Sequence, residues 1–117
     1  HAGGERMLEI TTENFKRVDM ITAVGRIDGS NAGELETAFT ALTDDGRYQI
    51  VAELSGVEYM SSAGLRALVA TMRECKKHRG DLRIANPSDR IQEVLSLAGL
   101  DSIFQIYEDA PSAVGSF

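Results

Sequence analysis

The 117-residue chain has little of what staples, kinks or catalyses: one cysteine, two prolines, two histidines and no tryptophan. Cys75 alone cannot close an internal disulfide, which suits a reducing, cytoplasmic setting. No apolar run approaches the roughly 18 residues a membrane span needs, so direct membrane insertion is not expected. No basic, apolar and small-residue succession opens the chain, so no secretory signal is read there. Positive charge is also short. Twelve Lys and Arg against 18 Asp and Glu leave a net charge of -6, which repels phosphate backbones and argues against a nucleic-acid partner.

What is present is enough apolar material for one core. Hydrophobic residues make up 43% of the chain and charged residues 26%, inside the globular range, and a chain this long should bury about 65% of its unfolded surface. Residues 1–6 are expected to be disordered, with His1-Ala2-Gly3 ahead of Met7 reading as a cloning remnant, and residues 7–117 to form a single domain.

Three windows share the i, i+3, i+4, i+7 spacing of an amphipathic helix: Leu35, Ala38, Phe39, Leu42; Leu65, Leu68, Val69, Met72; and Ile91, Val94, Leu95, Ala98. Capping residues stand at their starts: Ser30 or Asn31, Ser61 or Ser62, Ser88 or Asp89. Gly80 and Gly99 follow the second and third. Strands are expected at Leu8 to Phe15, Asp19 to Ile27, Gln49 to Leu54, Asp81 to Ala85 and Ile103 to Tyr107, with a last helix near Pro111. The order ββαβαβαβα predicts an α/β fold, a mixed but mostly parallel sheet of five strands with helices packed on it. The short link Lys16 to Asp19 makes the first two strands an antiparallel hairpin.

The stretch Ile50 to Leu68, IVAELSGVEYMSSAGLRAL, is the most informative, because a buried strand, a loop with two serines and an apolar helix follow one another. Loops at the carboxyl ends of parallel strands are where ligands and partners meet such sheets. The residues for catalysis there are missing. His78, the one internal histidine, lies 16 residues beyond Ser62 on the same expected helix, about 24 Å away. Met60 occupies the place of the first glycine of a G-x-S-x-G elbow. Cys75 and His78 have no second ligand pair for a metal, and no phosphate-cradling glycine loop exists. An enzyme is not expected, and no cofactor. A serine at a helix start can instead be a substrate: a phosphate there adds about -1.5 to -2 charges that the helix amino end tolerates, while a partner packed over the loop is repelled.

These residues resemble the STAS domain family, and within it the bacterial anti-sigma factor antagonists. The resemblance rests on Val24-Gly25-Arg26-Ile27-Asp28, Asn31-Ala32 with Leu35, Glu53-Leu54-Ser55-Gly56-Val57, Tyr59-Met60-Ser61-Ser62-Ala63-Gly64-Leu65, Leu82-Arg83-Ile84-Ala85-Asn86-Pro87 and Leu97-Ala98-Gly99-Leu100-Asp101. It implies a phosphorylation-controlled partner switch. The unmodified protein would bind an anti-sigma factor serine kinase of GHKL type and free the sigma factor, and a serine phosphatase would reset it. The acceptor it implies is Ser62, with Ser61 the alternative, on a partner-binding surface of Asp28, Gly29, Ser30 and the run Met60-Ser61-Ser62-Ala63-Gly64. Met60 is expected in the loop as an apolar partner contact. Asp28 reads equally as a turn residue in Asp28-Gly29-Ser30-Asn31. Ser61 and Glu53 depart from the family, both standing where Asp is usual. A STAS accessory subunit of a membrane transport complex is the alternative function.

Overall fold

In a computed structural model, residues 7–117 are described; the expectations for residues 1–6 lie outside them. The elements run β1 (Leu8–Phe15), β2 (Val18–Ile27), α1 (Ala32–Asp44), β3 (Gln49–Met60), α2 (Ser62–Lys77), β4 (Asp81–Ala85), α3 (Asp89–Leu97), a 3-10 turn (Leu100–Ser102), β5 (Ile106–Tyr107) and α4 (Ala110–Gly115). They form one five-stranded sheet in the order β1-β2-β3-β4-β5. The β1–β2 pair is antiparallel and the other three pairs are parallel, as the hairpin link and the strand–helix alternation require.

Consecutive parallel strands joined by right-handed crossovers place their helices on one face. The main core lies there: Ile21, Ala23 and Ile27 of β2, Ile50, Ala52 and Leu54 of β3, and Leu82 and Ile84 of β4 meet Leu35 and Phe39 of α1, Leu68, Met72 and Cys75 of α2, and Ile91 and Leu95 of α3. On the opposite face α4 covers Val18, Met20, Val51 and Ala85 through Ala113, and Arg83 anchors it. The Arg83 guanidinium donates to Ser116 O at 2.7 Å and Oγ at 2.8 Å and lies 4.1 Å from the Phe117 ring.

Two strands differ from expectation. β3 continues six residues past Leu54, because Ser55 and Glu58 bulge out of the ladder and let pairing with β2 resume at Gly56 and Tyr59. β5 is only Ile106–Tyr107, since the preceding residues turn to bury Phe104 and leave Ile103 exposed. Gly80 serves close approach rather than a left-handed turn: a Cβ there would stand 1.9 Å from Tyr48 O, while Arg79 takes the positive φ of 64°.

Candidate functional site

Strands β2 and β3 finish side by side, Ile27 paired with Met60, and the Ser61 amide donates to Ile27 O at 2.8 Å. That bond joins the loop leaving β2 to the amino end of α2. The two segments singled out in the sequence, 28–31 and 60–64, therefore meet at the carboxyl edge of the parallel sheet.

The loop is braced from within. Asp28 Oδ1 accepts from the Ser30 amide at 2.8 Å and the Ser30 hydroxyl at 2.6 Å. These bonds, that of the hydroxyl foremost, hold the Asp28 carboxyl below the usual carboxylate range. Asn31 precedes α1, but its side chain makes no capping bond to the helix. Its Oδ1 accepts from the Asp28 amide at 2.9 Å and its Nδ2 donates to Arg26 O at 2.9 Å. Gly29 and Ser30 are left exposed at the tip, with Asp28 half-buried.

In the second segment Ser61, not Ser62, is the residue before α2, and its side chain makes no capping bond. The Ser61 Oγ is buried and has no hydrogen-bond partner among the described residues. Ser62 is the first helical residue and is exposed; Ala63 is half-buried. The first turn of α2 contains no acidic residue, so the positive end of its dipole is not neutralised there. Among the described residues, this arrangement offers an accessible hydroxyl at a helix start and no nucleophile-activating base. His78 sits at the far end of α2, stacked on Tyr48 at 4.0 Å and 3.3 Å from Glu74.

Met60 and Gly64 do not present themselves to a partner. Met60 is 4% exposed, because β3 runs through it and its side chain turns inward under α2. Gly64 is buried directly above it. Leu65 is half-buried against the core. Two further features carry no signal in the sequence. Arg26 lies 4.7 Å over the Tyr59 ring on the sheet's outer face. The Ser88 hydroxyl, whose capping bond to the Ile91 amide was legible, also donates to Val57 O at 2.7 Å and ties α3 to the bulged end of β3.

The family model that fits this chain is that of the STAS domain, over residues 9–113. The chain belongs to the STAS domain family. One STAS relative, the anti-sigma-B factor antagonist of Staphylococcus aureus, is 30% identical over 86% of this chain and 94% of its own. An anti-sigma factor antagonist from Mycobacterium paratuberculosis has the same fold with a TM-score of 0.85 at 28% identity, covering 93% of this chain and 92% of that one. The Bacillus cell fate determinant SpoIIAA, in its phosphorylated form, matches with a TM-score of 0.75 over 92% of this chain and 98% of its own. At 19% identity that is a likeness of fold. No helix among the described residues is long and apolar enough to cross a membrane.

Proposed function

We propose that this STAS domain is an anti-sigma factor antagonist that works as a phosphorylation-controlled switch and carries no catalysis of its own. Unmodified, it binds an anti-sigma factor with GHKL-type serine kinase activity and so releases a sigma factor. The kinase then phosphorylates Ser62, the complex dissociates, and a serine phosphatase restores the binding form. The relatives' identity as anti-sigma factor antagonists supports the partner class.

The observation that carries the acceptor assignment is the contrast between neighbouring hydroxyls: Ser62 is exposed on the first turn of α2, whereas the Ser61 Oγ is buried. A phosphoryl group on Ser62 sits at the helix's positive end, where unpaired amides and the dipole favour it, so the domain stays folded while its surface changes charge. The contact surface is the exposed tip of residues 28–30 with Ser62 and Ala63. Met60 and Gly64 act beneath it as support.

The test is binding of Ser62→Asp and wild-type protein to the cognate kinase, with thermal unfolding alongside. Ser62→Asp should lose binding while its midpoint stays within a few degrees; an unfolded variant would make the serine structural. Stable copurification with a transport ATPase, without phosphate on either serine, would favour an accessory subunit of a membrane transport complex instead.

A further inference from the structure

The sheet ends in two unlike edges. β5 offers only Ile106 and Tyr107, whereas β1 offers eight residues. β1 pairs with β2 in one unbroken register from Leu8 with Gly25 to Phe15 with Val18, so no bulge twists it away. Nor does it hold a lysine or a proline, the other devices that blunt an exposed edge.

Which backbone groups of β1 face outward follows from both ends of the ladder. The Arg26 amide donates to Met7 O at 2.9 Å, and Phe15 and Val18 close a tight hairpin over Lys16 and Arg17. Hydrogen-bonded residues alternate with unbonded ones in an antiparallel pair, so Met7, Glu9, Thr11, Glu13 and Phe15 bond to β2. The amides and carbonyls of Ile10, Thr12 and Asn14 then point away from it, and among the described residues no strand lies on that side. Beside them β1 and α1 leave a concavity of about 460 Å³, lined in part by Ile10, Thr12, Thr37 and Ala38, which gives a further strand room on the helical face.

Charge selects the occupant. β1 carries carboxylates at Glu9 and Glu13, with cations just past its end at Lys16 and Arg17. A strand so polarised complements a copy of itself run antiparallel. Centred on Thr12, self-pairing sets Thr12 against Thr12, Ile10 against Asn14, Thr11 against Glu13 and Glu9 against Phe15, with Arg17 diagonal to Glu9 and within its reach. This register uses all three outward residues in about six backbone hydrogen bonds and puts no like charges directly opposite. A centre at Thr11 would set Glu9 against Glu13, one at Glu13 would set Glu13 against itself, and one at Ile10 would leave Asn14 with no β1 residue opposite. We propose that the chain associates with a second copy of itself through β1, the two strands pairing antiparallel about a two-fold axis at Thr12 to make one continuous sheet. An edge join of this size is weak and reversible. Its centre lies opposite Ile21, well back from the Ile27–Met60 pair that precedes Ser62, so the switch stays uncovered.

The experiment is sedimentation equilibrium of the full chain from about 10 μM to about 1 mM. The mass is expected to rise from 12.7 kDa toward twice that value. Thr12→Pro removes an amide that β2 does not use, so the fold is kept while the join is lost. Thr12→Lys, at an exposed position, sets two cations face to face, should weaken association about fivefold, and decides the point if the proline variant unfolds. Glu13→Gln relieves the carboxylates left diagonal across the axis and should tighten association about twofold. Glu9→Lys should weaken it and Glu9→Lys with Arg17→Glu restore it, while Ser62→Asp leaves it unchanged. The proposal is overturned if the wild-type chain stays monomeric throughout, or if folded Thr12→Pro and Thr12→Lys associate as the wild type does. It is also overturned if the Ile10 and Thr12 amides gain exchange protection only when the kinase is present, which would give the edge to that partner.

Discussion

Gly64 lies so close over Met60 that a Cβ at position 64 would stand 2.6 Å from Met60 Cγ and 2.9 Å from Ile27 Cγ2. The glycine is thus a spacing residue. It lets the first turn of α2 sit down on the paired ends of β2 and β3, and so fixes where Ser62 is displayed.

Gly64→Ala should therefore overpack this junction and destabilise the domain by about 1–3 kcal/mol. The melting temperature would fall by roughly 4–8 °C for each kcal/mol. Gly29→Ala is the control, because nothing lies within 4 Å of a Cβ there. Calorimetry on the two variants checks this; equal midpoints would show that the close contact carries no cost.

Much of the fold was legible because its signals are local. The i, i+3, i+4 stripes of Leu35 and Phe39 and of Ile91 and Leu95 face the core as their spacing demands. The short hairpin link gave the one antiparallel pair. Met60 was misplaced for a physical reason: Ser55-Gly56 reads as the end of a strand, and only pairing to β2, distant in sequence, carries β3 past two bulges to Met60. Asn31 looked like a helix cap, which is a local role, whereas its bonds reach back to Asp28 and Arg26. Residue type does not rank Ser61 against Ser62; the family resemblance implies Ser62, and the structure adds that Ser62 is exposed while the Ser61 Oγ is buried.

The Asp28–Ser30 contact predicts a titration. A carboxyl whose folded pKa lies below the ordinary 3.8 contributes stability that is present above pH 3.8 and is lost as pH falls through the folded value. Carboxyl-carbon NMR should find Asp28 titrating below 3.8. Ser30→Ala, which removes the hydroxyl donor but keeps the amide, should move it part of the way back. An Asp28 titration unchanged by Ser30→Ala would mean that the hydroxyl bond is not formed in solution.

Cys75 is fully buried on α2, and burial, with lesser contributions from Asp81 and Glu74, pushes its thiol up to about 12. A thiol-specific reagent at neutral to mildly alkaline pH should leave the folded protein unlabelled and modify Cys75 once denaturant unfolds it. Rapid stoichiometric labelling under native conditions would contradict the packing of α2 on the sheet.

The most direct test is to incubate the protein with its cognate anti-sigma factor kinase and ATP and locate the modification by peptide mass spectrometry. One phosphate on Ser62 is expected, absent from Ser62→Ala and retained in Ser61→Ala. A phosphate that persists in Ser62→Ala and vanishes in Ser61→Ala, or a kinase that neither binds nor modifies the chain, would contradict the account.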